Sequence, residues 1–216
     1  MATICVKGVG KIKKAPDTAE INVRMERFDA DYGKSSEKCA QATETLKTAL
    51  KAAGFKESAL KTVSFSVSAK YENVPDKGIY KSVLTGFTGL HTLKLSLPVS
   101  GDGVKNALAA ILSAGEECGI SLAYTLSDKE KELKKMLAAA FKDAEKKAEA
   151  IAAAAGKTKG ALVSVTEGSA AKALYSRTDA DLTVFASARA AVNAVPDFTA
   201  EEIEDSATLT AEWEID

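Results

Sequence analysis

The sequence predicts an α+β fold, a two-layer α/β arrangement in which a mainly antiparallel, mixed sheet carries two shorter helices and one long alanine-rich helix. Three observations predict it. Strict apolar/polar alternation recurs in short stretches, as in "TAEINVRMERF". Between such stretches, apolar residues recur at steps of three and four, the period of a half-buried helix. The outer faces of the strands are polar, which suits helices packed on one side of an antiparallel sheet.

Taken in order, Ile4 and Val6 point one way before Gly8 and Gly10. After the turn residues Pro16 and Asp17, Ala19, Ile21, Val23 and Met25 share a face against Glu20, Asn22, Arg24 and Glu26, so a first hairpin is expected. A helix over about Asp31 to Ala53 follows, with Cys39, Ala42, Leu46, Ala49, Leu50 and Ala53 on its stripe and Gly54 as its stop. Val63, Phe65, Val67 and Ala69 alternate with Ser64, Ser66 and Ser68, predicting a strand with an apolar inner face; "ENVPDKG" then reads as a turn or exposed excursion. "IYKSVLTGFTGLHTLKLSLPVS" is long enough for a bent or bulged strand, with Gly86 and Gly89 as bend positions. Val104, Ala107, Leu108, Ile111 and Leu112 mark a shorter helix, and Ile120, Leu122, Tyr124 and Leu126 the next strand.

The segment Ser127 to Gly168 is one long helix running into a strand. Ser127 and Glu130 have the spacing of a reciprocal N-terminal cap. Leu133, Leu137, Ala140, Phe141, Ala144, Ala148, Ile151, Ala152 and Ala155 form the apolar stripe, and Gly156 supplies the left-handed stop. "GALVSVTEG" reads as a strand. Residues 170–206 show no steady period and are expected to project or to be mobile, after which Ala207, Leu209, Ala211, Trp213 and Ile215 alternate as a closing strand with Trp213 as a core or interface anchor.

A chain of 216 residues with 46% hydrophobic content can bury a sizeable core without disulfides or a structural metal, so one domain over 1–216 is expected. With 29 basic against 30 acidic residues there is no global field for nucleic acid, and "KGVGKIKK" lacks interleaved aromatics; no nucleic-acid partner is expected. Cys5, Cys39 and Cys118 are odd in number and widely spaced, which fits a reducing compartment. No stretch approaches 18 apolar residues, so no membrane-spanning segment is expected. The expected location is the cytoplasm if the N-terminus is native, and periplasmic or extracytoplasmic if an export signal has been removed.

Chemistry is sparsely advertised. His91, the single histidine, falls on the face of Leu93, Leu95 and Leu97 and reads as a hydrogen-bonded structural residue. One histidine and no paired cysteines leave no zinc set, and Glu116, Glu117, Glu201, Glu202, Glu204 and Asp205 read as solvated faces rather than a calcium loop. Gly8 and Gly10 lead into a strand, so they suit a bulge or a tight backbone crossing rather than a phosphate loop. Ser64, Ser66 and Ser68 lack the strand-to-helix elbow of a nucleophilic serine. No catalytic, cofactor-binding or metal residue is assigned, and no cofactor is expected.

Three blocks in order, "VKGVGKIKKAPDTAEINVRM", "TGFTGLHTLKLSL" and "DAEKKAEAIAAAAGKTKGALVSVTEG", carry a likeness. The chain resembles, over its whole length, the SIMPL-domain family of YggE-like and bacterial periplasmic immunogenic proteins. Gly8, Gly10, Pro16 and Asp17 match its glycine pair before Pro-Asp, Gly86 and Phe87 its glycine-aromatic pair, and Gly156 the end of its alanine-rich helix. The resemblance implies antiparallel sheet with packed helices, a poorly defined function, oligomeric assembly, and no established catalytic residues or cofactor. The chain departs from many members in lacking an export signal and in residues 170–206. The expected function is a non-enzymatic structural or interaction protein that self-associates, with a homo-oligomer or another protein as partner. The alternative is a small-molecule binding module or hydrolase with a pocket near the 73–80 excursion, using Tyr71, Tyr80 or His91.

Overall fold

The chain runs β1 (Ala2–Lys14), β2 (Thr18–Asp29), α1 (Tyr32–Ala52), β3 (Leu60–Asp76), β4 (Ile79–Pro98), α2 (Gly103–Ser113), β5 (Cys118–Thr125), α3 (Lys129–Ala154), β6 (Lys159–Glu167), β7 (Tyr175–Val184) and β8 (Ile203–Ile215). This computed structural model describes residues 2–76, 79–168, 174–184 and 200–216. The architecture is α+β, with three α-helices among the described residues and antiparallel strand pairing in two sheets rather than one. The chain divides into two compact units, each with its own sheet, the first with α3 and the second with α1 and α2.

The first unit comprises Met1–Asp17, Thr125–Ser176 and Ala200–Asp216. Its three-stranded sheet has the order β1-β8-β6. The expected hairpin between β1 and β2 is therefore corrected: β1 pairs along all of its 13 residues with β8, from Ala2 opposite Ile215 to Lys14 opposite Ile203, and β2 enters the other sheet. Alternation tells which face each strand buries but not which strand it meets, because the partner is fixed by pairings between distant segments.

α3 lies on β1 and β8. Its buried residues are Glu132, Met136, Ala140, Ala144, Ala148 and Ala152, one every fourth position, and the alanines pack against Ile4, Val6, Leu209, Ala211 and Trp213. The small stripe lets the helix backbone come down onto the strand. A methyl group at Gly8 would collide with the carbonyl oxygen of Ala140, and one at Gly10 with that of Met136. The glycine pair is thus the tight crossing. Ile151 and Ala155, both expected on the stripe, are exposed, Ile151 at 49%. Buried Glu132 was not anticipated; Lys135 and Lys14 neutralise it, both at 3.0 Å, and hold its carboxyl below the usual range.

The cap of α3 also differs from expectation. Asp128, not Ser127, accepts the amide of Lys131, at 2.9 Å. Ser127 is instead held by Asp17, whose carboxylate accepts from the Ser127 amide at 2.7 Å and from its hydroxyl at 3.1 Å. Glu130 pairs with Lys134 along the helix. At the other end Gly156, at φ 69, closes a paired motif in which the Gly156 and Lys157 amides donate to the carbonyls of Ala153 and Ala152.

The second unit comprises Thr18–Tyr124 and Arg177–Thr199, with a five-stranded sheet in the order β3-β4-β2-β5-β7. α1 packs on β2 and β4 and touches α2. Ile21 stands opposite Leu95 and Val23 opposite Leu93, all buried, while Cys39, Ala42, Leu46 and Leu50 form the buried side of α1. α1 starts at the Asp31 cap and ends with the Gly54 and Phe55 amides donating to Lys51 and Leu50, the same paired stop as α3. Of residues 170–206, read as projecting or mobile, 170–173 and 185–199 lie outside the described residues, and the remainder includes β7 and the start of β8.

Replacing Gly10 by Ala forces α3 off β1 because the obstruction is backbone, and overpacking of this kind costs about 1–3 kcal/mol. Equilibrium urea unfolding followed by Trp213 emission should show that loss, whereas Gly103→Ala, with nothing within 4 Å of the new methyl group, should leave the midpoint nearly unchanged.

Candidate functional site

His91 sits on β4 opposite Met25 of β2 and Phe65 of β3, with α1 above it. The hydroxyl of Thr43 donates its proton to the Cys39 carbonyl at 2.8 Å, so at 2.9 Å from His91 Nδ1 it can only accept. That assigns the proton to Nδ1 and leaves Nε2 to accept from the Thr62 hydroxyl at 3.0 Å. Phe65 meets the ring edge-on, with centroids 5.4 Å apart. Burial, reinforced by the Lys47 ammonium, lowers the His91 pKa and favours the neutral ring. The imidazole is a bridge from α1 through β4 to β3. Its orienting partner is a hydroxyl, which does not stabilise an imidazolium as a carboxylate would.

The residues considered for a pocket do not converge. Tyr80 pairs with Pro75 and Tyr71 with Leu84, while His91 pairs with Phe65. At about 3.3 Å per residue, Tyr80 and His91 stand roughly 35 Å apart along β4. The stretch read as an excursion continues the ladder as far as Asp76 opposite Ile79. Among the described residues no group of three His, Cys, Asp or Glu side chains gathers as a metal-ligating set. No helix among them is long and apolar enough to cross a membrane. Cys39 and Cys118 are buried, and burial raises both thiols, Cys118 to about 11; Cys5 is exposed.

The feature that stands out is the far half of the β3–β4 hairpin. β3 was expected to bury an apolar face; instead Val63 and Phe65 are 57% and 47% exposed. α1 packs chiefly on β2 and β4, leaving β3 beyond its cover. Further out, Tyr71, Val74, Ile79, Tyr80, Val83 and Leu84 are all exposed, Ile79 and Tyr80 each at 75%. They occupy both faces: Tyr71, Leu84 and Tyr80 on one, Val74, Val83 and Ile79 on the other. A two-stranded ribbon with both faces wet is marginal alone, and clustered exposed apolar residues mark interaction surfaces.

The sheet edges are treated differently. On β1, the outward Val9 amide donates to Asp143 of α3 at 2.8 Å and the Lys7 carbonyl accepts from Lys147 at 3.0 Å, so the helix occupies that edge. β6 exposes Leu162, Val163 and Val165 but suffers two register shifts in nine residues, which break a regular template. β3 is the edge of the five-stranded sheet, and from Ser64 to Asp76 it carries no extra residue of its own, although its pairing with β4 shifts register between Lys70 and Tyr71. The extra residue at its second register shift is Thr85, on β4: Lys70 faces Gly86, whose φ is 155, and Tyr71 faces Leu84. Alternation in β3 was visible in the sequence, but its exposure and edge position depend on the sheet order.

The family model described as "SIMPL: Protein of unknown function (DUF541)" matches residues 4–213, nearly the whole chain. No curated protein matches the sequence.

Because the folded state holds the His91 pKa below 6.5, unfolded chains take up the proton first. The stability this group contributes is complete above about pH 6.5 and declines as the pH falls below it. Urea midpoints at pH 7.5 and 5.0 should differ more for the wild type than for His91→Gln. A native thiol titration should register one fast-reacting cysteine, Cys5, and denaturation should release the other two.

Proposed function

The chain belongs to the SIMPL family, and from the double-faced apolar ribbon of β3–β4, whose outer edge meets no other strand among the described residues, we propose that it is a non-enzymatic structural or interaction protein that self-associates. The observation that carries this reading is the ribbon itself. Tyr71, Val74, Ile79, Tyr80, Val83 and Leu84 place large apolar side chains in water on both faces, beside a strand whose outer hydrogen-bonding groups face no other strand among the described residues. Pairing with another chain satisfies those groups and covers the side chains in one step, by binding geometry alone.

The small-molecule or hydrolase reading has weaker support. His91 carries hydroxyl partners on both nitrogens, and the aromatic residues that would line a pocket with it lie at the far end of the ribbon. A symmetric homo-oligomer is the economical assembly, since each copy brings the same ribbon.

Multi-angle light scattering on the untagged chain across a micromolar concentration series tests the reading. A mass that is a multiple of 22.6 kDa is expected, and a strictly monomeric species would defeat it.

A further inference from the structure

We infer that β3 pairs with β3 of a second copy, antiparallel across a two-fold axis at Tyr71, so that Lys70 of each chain faces Glu72 of the other. This rests on the self-association reading above and specifies its register. A two-fold axis perpendicular to the sheet opposes residues placed symmetrically about the axis residue, and each face of one copy continues into the same face of the other. The register is then set by the charges along the edge.

Lys70 and Glu72 flank Tyr71 on the same face, exposed and 3.6 Å apart within the chain. An axis at Lys70 would set Lys70 against its own copy, and an axis at Glu72 would oppose two glutamates. An axis at Ala69 or Val67 would leave both charges facing serine or threonine. The axis at Tyr71 opposes Lys70 to Glu72, and symmetry makes the pair twice; an axis at Asn73 would oppose Lys70 to Asp76 but set Glu72 against Val74, leaving the glutamate without a partner. Opposite charges directly across strands stabilise and like charges destabilise by similar amounts. The same register sets Ala69 against Asn73, Ser68 against Val74 and Val67 against Pro75. Pro75 brings no N–H, a gap tolerated near the end of a ladder. That the strand is complementary to itself identifies the occupant as a second copy rather than an unrelated strand.

The full chain with Cys5→Ser, which removes the exposed thiol, is the background for the test. Directly opposed residues have Cα atoms about 4.5–5.5 Å apart, inside the range a disulfide spans. Tyr71→Cys should therefore yield a covalent dimer under mild oxidation, and Val74→Cys, displaced from its own copy, should not. Should Tyr71→Cys fail to fold by far-UV circular dichroism, a mixture of Ala69→Cys and Asn73→Cys chains should link to each other and not to themselves. Glu72→Lys should raise the dimer dissociation constant on the order of tenfold, and adding Lys70→Glu should restore it. An oligomer in which Val74→Cys links as readily as Tyr71→Cys, or in which the double reversal recovers nothing, overturns the register while self-association stands. A monomer at every concentration overturns both.

Discussion

Everything in the first unit follows from one close approach: the backbone of α3 rests directly on the backbone of β1. Gly8 and Gly10 permit it from the strand side, and Ala140, Ala144, Ala148 and Ala152 from the helix side. Backbone polar groups brought this close to a strand edge need partners, and the helix brings them. Asp143 takes the Val9 amide, and Lys147, ion-paired to Asp143 at 2.7 Å, reaches the Lys7 carbonyl. Larger residues on either side would hold the helix at an ordinary packing distance, and those contacts would be out of reach. The larger apolar groups are displaced to the margins of the stripe, where Phe141 packs at 5.9 Å against Trp213 and Lys159 lies over the indole.

The second unit solves its packing with ordinary side chains and leaves a different problem. Ile21, Val23, Met25, Leu93 and Leu95 are fully covered, so the middle of that sheet needs nothing further. β3 lies beyond the helix, and the apolar residues at its far end have no covering element among the described residues. Within one chain, then, one edge strand is closed by a helix, another is interrupted by extra residues of its own, and a third is left long, with no extra residue of its own beyond Val63. That difference, more than any single side chain, locates the surface where a partner fits.

Local structure was legible where one chemical signal suffices. The alanine stripe with Gly156, the Asp31 to Gly54 helix and the alternation of β2 and β8 all lie where the sequence places them. Signals that admit two readings misled. Ser127 with Glu130 has capping spacing, yet Asp128 is one residue closer to the helix and Ser127 is engaged by Asp17. Val63 and Phe65 alternate like buried residues, but burial needs a covering element, and which strand lies at the edge is decided by pairings between distant segments. The same limit separated β1 from β2. The buried Glu132 was hidden because its neutralising Lys14 comes from another strand. That His91 would be hydrogen-bonded was readable, but its threonine partners on α1 and β3 were not.

The sheet order of the first unit bears on how the protein is made. β8 lies between β1 and β6 and is, among the described residues, the one strand each pairs with in that sheet. On the ribosome the pairings of β2, β3 and β4 can be completed as soon as residue 98 is out, since they are local in sequence. The sheet of the first unit has no such early option. α3, made earlier, can already settle on Gly8 and Gly10, but among the described residues β1 and β6 have no partner strand in that sheet until β8 emerges, so the ladder of β1 waits while residues 15–202 are made.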